Sequence, residues 1–157
     1  EKSWGVKFPD AIFKKDHENV IDLALNSKLK ALYIMGENLI VNYPNGKKIK
    51  DACKKIDFIV VQDTFLTETA QLADVVLPAA TFAEKEGTFT NMGMTVQRLN
   101  KAIKPVGDAK PDWQIICSLS QKMGSHYSYV FPKDILTEIE NISPIYTGIN
   151  YDRLKRK

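Results

Sequence analysis

The sequence predicts an α/β fold, a three-layer arrangement with a mostly parallel sheet flanked by helices. Three observations carry that expectation. Short, almost wholly apolar runs at 31–35, 57–62 and 74–78 have the length and flanks of strands buried on both faces. Stretches with apolar residues at helical spacing lie between and after them. Glycine, proline or polar turn residues close each run. Buried strands separated by helices imply a parallel sheet with crossover connections.

Taken in order, residues 1–15 have no clear period, and Trp4-Gly5-Val6 followed by Phe8-Pro9 reads as an extended entry segment. Asp16 is placed to cap a helix running to about Lys28, with Val20, Leu23 and Ala24 as its apolar stripe. Ala31 to Met35 is the first strand, ending at Gly36. A polar turn follows at Gly36-Glu37-Asn38 and another at Asn42 to Gly46. A helix from about Lys47 to Lys55 places Ile49, Ala52, Cys53 and Ile56 on one face. The second strand is Asp57 to Gln62. Asp63, Thr64 and Thr67 are candidate caps for a short helix over Thr67 to Ala73. The third strand, from Asp74, ends at Pro78, which cannot continue the ladder.

Residues 81–100 read as loop plus irregular β structure, with Gly87 and Gly93 as breakers, and 105–111 as a linker. Asp112 opens a helix with Ile115, Ile116, Leu119 and Met123 at spacings of one, four and eight, closed by Gly124. A last helix starts near Pro132 with Ile135, Leu136 and Ile139 inward. The tail from Ser143 to Lys157 has no strong period. The expectation is one α/β domain over 1–157. Because the chain begins at Glu1 rather than methionine, it is expected to be a fragment of a larger one.

Composition narrows the class. Hydrophobic residues make up 44% and charged residues 26%, as in ordinary globular proteins, which excludes a disordered tail, a collagen-like repeat or a coiled coil. No apolar run approaches the ~18 residues needed to span a bilayer, and no basic-then-apolar leader is visible. A soluble, cytoplasmic protein without direct membrane insertion is expected. Lys and Arg (22) nearly balance Asp and Glu (19), interspersed, which argues against a nucleic-acid partner. Cys53 and Cys117 form no Cys-x-x-Cys and read as two buried, reduced thiols in a cytoplasmic protein. His17 and His126 stand alone. No metal-ligand set is visible.

In an open parallel sheet, ligands bind beyond the carboxyl ends of the strands, where loops run into helix N-termini. Here those ends carry Gly36-Glu37-Asn38, Gln62-Asp63 and Pro78-Ala79-Ala80, the last leading to Glu84-Lys85-Glu86-Gly87-Thr88. Neither G-x-G-x-x-G nor a P-loop is present. The amides and carboxylates suit the edge of a purine or pterin better than a bare phosphate, and a carboxylate facing adjacent ring and exocyclic N–H groups selects guanine over adenine. Turn and cap duty is the alternative role for Asn38 and Asp63.

Several longer stretches bear a resemblance. FIVVQDTFLTETA (58–70), ADVVLPAA (73–80), FAEKEGTFTN (82–91) and VQR (96–98) closely resemble the molybdopterin oxidoreductase family. ALYIMGEN (31–38) is similar to that family's glycine-turn element, and KPDW (110–113) and PIYTGINY (144–151) also fit. Within the family the likeness is greatest to the formate dehydrogenase catalytic (alpha) subunit, and it covers about residues 29–154.

The resemblance implies a dinucleotide-binding-like domain that grips one guanine dinucleotide of a bis-molybdopterin guanine dinucleotide cofactor carrying molybdenum or tungsten. It implies two-electron oxidation of formate to carbon dioxide, and an iron–sulfur cluster bound outside this fragment. The implied partners are the remaining domains of the parent subunit and electron-transfer iron–sulfur or flavin subunits. By the same resemblance Asn38 falls where the glycine-turn loop approaches the dinucleotide. Gln62 and Asp63 fall at the strand end that reads the nucleoside. Lys85 is placed to neutralise pyrophosphate or pterin-side charge, and Asp112 to meet the guanine edge. Gly36, Glu37 and Asn42 are secondary cofactor-binding candidates. No catalytic or metal-binding residue is expected in this chain, and the fragment alone is expected to be inactive.

Two features depart from the family pattern. Met92-Gly93-Met94-Thr95 stands where a Glu-Arg-Arg or Glu-Gly-Arg run is usual, and Leu39 replaces the proline after the glycine turn. Two other readings compete. The large iron–sulfur subunit of NADH dehydrogenase keeps this fold as a pterin-free scaffold, which has no need of Asn38, Gln62, Asp63 and Lys85 together. Another family enzyme, such as a nitrate reductase, is the third.

Overall fold

The computed structural model describes residues 17–125 and 127–155. The entry segment, the Asp16 cap and His126 lie outside the described residues. The chain, expected as one domain, divides into two compact units, Glu1–Pro78 and Ala79–Lys157.

The first unit is α/β, with a parallel sheet flanked by helices, as the apolar runs require. Its elements are helix α1 (His17–Leu25), strand β1 (Ala31–Met35), a short helix α2 (Leu39–Asn42), helix α3 (Gly46–Cys53), strand β2 (Phe58–Asp63), a 3-10 turn (Ala70–Leu72) and strand β3 (Val75–Pro78). The strands are all parallel in the order β1-β2-β3. Met35 lies opposite Gln62, which lies opposite Leu77, so the three carboxyl ends are level. The core is Ala24, Ile34, Ile49, Ala52, Cys53, Ile56, Ile59, Val61 and Ala70.

Local chemistry sets the element ends. The helix expected from Lys47 begins one residue earlier, because Asn45 enters the left-handed region at φ 62° and its side chain accepts from Lys48 N. The first helical residue must then be glycine: a Cβ on Gly46 would lie 2.5 Å from the Ile40 carbonyl oxygen. α3 buries Ile49, Ala52 and Cys53, its i, i+3, i+4 stripe. The helix expected over 67–73 tightens to a 3-10 turn, with Thr67 Oγ1 accepting from Ala70 N as a cap. Asp74 joins β2 to β3 by accepting from Ile59 N at 2.7 Å and donating its own N–H to Ile59 O.

The second unit holds strands β4 (Gly87–Thr90) and β5 (Val96–Leu99), helices α4 (Asp112–Lys122) and α5 (Pro132–Ile142), a 3-10 turn at Pro144–Tyr146 and a last helical turn α6 (Tyr151–Leu154). Where irregular β structure was expected, β4 and β5 form a regular antiparallel hairpin, Thr90 opposite Val96. α5 packs on β4, and α6 on β5. The aperiodic tail owes its order to local hydrogen bonds: Asn150 caps α6 through Arg153 N.

α4 carries most of its apolar residues at the surface. Ile115 is buried, whereas Ile116, Leu119 and Met123 are exposed. Both cysteines are free, Cys53 buried and Cys117 only half-buried, and burial pushes both thiols up from their ordinary value.

Ile59 is 2% exposed on the central strand. Ile59→Ala should therefore cost about 2–5 kcal/mol in chemical denaturation, through lost burial and the cavity left behind. Gly46→Ala should lower the denaturation midpoint, the opposite of what Gly→Ala does at an open helical position, because the added methyl meets the Ile40 carbonyl.

Candidate functional site

The level ends of β1 and β2 release into loops that carry most of the expected residues. Gly36 leaves β1 at φ 64°, and nothing lies within 4 Å of the place a Cβ would take. Its N–H donates to Gln62 O at 2.8 Å, which ties the first loop to the second strand. Glu37 accepts from Asn42 Nδ2 at 2.7 Å, so these two candidates form one exposed pair. Asp63, half-buried, turns back on its own loop and accepts from Thr64 N at 2.7 Å.

Asn38 occupies the N-cap position of α2, yet its side chain makes no capping hydrogen bond. Thr69, 29 residues away, caps α2 instead: its Oγ1 accepts from Ile40 N at 3.2 Å. The same hydroxyl donates to Asn38 Oδ1 at 2.8 Å. Asn38 Nδ2 donates to Glu68 Oε2 at 2.8 Å. Cap duty, the alternative role for Asn38, is therefore held by another residue. The Asn38 amide beside Glu68 is the main cause holding that carboxyl below the ordinary glutamate value.

Gln62 differs from the expectation. It was placed at the strand end that reads a nucleoside, but it has no exposed surface and accepts a hydrogen bond from the Tyr33 hydroxyl. It supports the rim from beneath. On the central strand the side chain next to the end, Gln62, is covered, while the last, Asp63, is half-buried.

Lys85 and Asp112 lie in the second unit, where they form one ion pair with side chains 18% and 33% exposed. They were expected to make separate contacts, one to a phosphate and one to a base edge. Each instead answers the other's charge. Asp112 is the first residue of α4, not its cap, and its carboxylate also suits the positive end of the helix. Glu84 is structural. It is 4% exposed and its carboxylate accepts from Thr81 N at 2.8 Å and Val106 N at 3.1 Å. Met92 and Met94 at the hairpin turn are exposed and bring no charge.

Sequence reasoning missed Thr69 and Glu68 as members of this cluster. A signal was present in Thr67-Glu68-Thr69: one short turn needs one threonine cap, and Thr67 supplies it. The donor set is carboxylates and amides, with Phe65 and Leu66 exposed on the same loop. Such groups fit the N–H edges and flat faces of a purine or pterin. Among the described residues no group of three or more His, Cys, Asp or Glu could hold a metal ion. No described helix is long and apolar enough to cross a membrane.

Asn38→Ala should raise the Glu68 carboxyl toward its ordinary value, as read by carbon NMR titration. Folding lowers this pKa, so the Asn38–Glu68 contact stabilises the wild-type chain in full above pH 4.5, the ordinary value, and is lost as the pH falls through the lowered one. The variant should lack that acid-side slope.

A family model described as molybdopterin oxidoreductase matches residues 10–122. The chain is 44% identical over 155 residues to the Bacillus subtilis protein named Probable oxidoreductase YjgC, covering 99% of this chain and 16% of that one. It is 54% identical over 129 residues to a formate dehydrogenase subunit alpha of Methanocaldococcus jannaschii, covering 81% of this chain and 19% of the relative. Its fold is similar to that of the acetylene hydratase of Pelobacter acetylenicus, with a TM-score of 0.69 and 24% identity over 87% of this chain and 19% of the other. The chain thus spans less than a fifth of the length of these curated relatives. With a family model covering the sheet, its rim and the hairpin, this chain belongs to the molybdopterin oxidoreductase family, and that membership implies a molybdopterin cofactor.

Proposed function

We propose that this chain is the part of a formate dehydrogenase alpha subunit that grips one guanine dinucleotide of a bis-molybdopterin guanine dinucleotide cofactor. The observation that carries the reading is the Asn38 side chain, which holds the cap position of α2 without capping it and is turned to the rim. The names of relatives at 43% and 54% identity support the substrate.

On this reading Gly36 lets the cofactor approach the backbone. Asn38, Glu37, Asp63 and Glu68 offer hydrogen bonds to its ring edges. Asn42 holds Glu37, and Gln62 holds Tyr33 and the Gly36 turn from below. Lys85 and Asp112 enter as a pair, each keeping donors or acceptors beyond their mutual bond for the cofactor. When bound, the cofactor, with molybdenum or tungsten, supplies the redox centre that takes two electrons as formate becomes carbon dioxide and a proton. The metal ligands, the iron–sulfur cluster and the domains that close the site belong to other parts of the parent subunit. Iron–sulfur or flavin subunits carry the electrons onward in the cytoplasm.

A dinucleotide clamped by several domains loses most of its contact when one remains. The isolated chain should therefore bind guanine nucleotides weakly at best and turn over no formate with a dye acceptor. In the full-length enzyme Asp63→Ala should lower molybdenum or tungsten content about tenfold, the worth of one charge-assisted hydrogen bond, while turnover per metal changes little. Unchanged metal content with slower turnover per metal would remove Asp63 from the binding rim.

A further inference from the structure

We propose that Thr69 is the positioning residue of this rim. By donating to Asn38 Oδ1 it fixes the Asn38 carboxamide so that Asn38 meets a ligand as a hydrogen-bond donor. The inference rests on the rim being the cofactor's seat, and it names what orients the seat and which ligand atom fits.

Thr69 is 1% exposed, so its hydroxyl proton has to find an acceptor within the fold. Its oxygen already accepts from Ile40 N, and the proton goes to Asn38 Oδ1 at 2.8 Å. On the other side of the amide stands Glu68, which as a carboxylate can only accept, and Nδ2 donates to it at 2.8 Å. Two independent neighbours thus demand the same amide orientation. The flipped amide would set the Thr69 proton against an NH2 group and the amide oxygen against a carboxylate. The second cannot be a hydrogen bond, and the first could become one only with Nδ2 donating to Oγ1, which would leave the Thr69 proton without the acceptor that Oδ1 gives it.

One Nδ2 proton is committed to Glu68, and the other is free to donate. The ligand atom at Asn38 is therefore an acceptor: a ring carbonyl, an unprotonated ring nitrogen or an ester oxygen. Ring N–H groups are left to the carboxylates. Thr69 itself is too buried to touch the ligand, so its effect must pass through Asn38.

Two readouts test this. In the isotope-labelled 157-residue chain, the Asn38 side-chain amide should be as ordered as the backbone. It should remain so in Thr69→Ser and become mobile in Thr69→Val. An Asn38 amide that turns freely in the wild type, or stays equally ordered in Thr69→Val, overturns the inference, and the wild-type measurement decides it even where the valine variant fails to fold. In the full-length parent, guanine nucleotide released per polypeptide should fall about tenfold in Thr69→Val and be largely kept in Thr69→Ser. In an Asn38→Ala background, Thr69→Val should produce no further loss. A further loss would show that Thr69 acts structurally rather than through Asn38, and would overturn the inference. A wild-type parent that releases no guanine nucleotide contradicts the cofactor reading, and the amide measurement still decides the role of Thr69.

Discussion

The Thr69 hydroxyl ties the loop after β1 to the loop after β2, and the rim depends on that tie. An α-helix begins with unpaired N–H groups, and α2 is too short to be stable without help at its start. Its own N-cap residue, Asn38, gives no such help. Thr69 reaches across from the second loop, takes the Ile40 N–H, and passes its proton to Asn38. Each bond contributes about 1 kcal/mol, so the tie matters less for stability than for geometry. It decides which residue is spent on capping and which is left facing outward.

The parallel sheet supplies the level platform that makes this arrangement possible. β1 ends at Met35, opposite Gln62, one residue before the end of β2, so the Gly36 N–H meets the Gln62 carbonyl directly. Gly36 then turns the chain through a left-handed conformation that only glycine adopts at low cost. Asn38 and Glu37 arrive beside the Asp63 loop as a result. An acceptor-rich rim over a buried amide is suited to recognising an edge with N–H groups, which is the chemistry a pterin ring presents.

The strands were legible as short, largely apolar runs at 31–35, 58–63 and 75–78, but the burial on both faces that such runs suggest holds only for the central β2, because β1 and β3 leave Tyr33, Met35, Val75 and Val76 exposed. α3 was legible from its Ile49, Ala52, Cys53 stripe. Other features were hidden for physical reasons. Periodicity identifies one face of α4, but not what covers it, and Ile116, Leu119 and Met123 are exposed. The short α2 was unreadable because its cap comes from a residue distant in sequence. The Lys85–Asp112 pair was unreadable for the same reason: it joins residues 27 apart, and each looked like a ligand contact on its own. Gln62 looked like a rim residue because strand-end position was legible and depth was not. Asn38 was placed correctly in the loop, while the residue that orients it was taken for part of a helical turn.

A chain spanning less than a fifth of its curated relatives' length owes much of its meaning to the rest of the parent protein. The most direct test of the central claim is therefore elemental analysis of the full-length parent, purified from its source, for molybdenum, tungsten and iron. The account predicts molybdenum or tungsten together with iron, in fixed proportion to polypeptide. Iron without either metal would contradict it, and would leave the rim as part of a scaffold that holds no pterin.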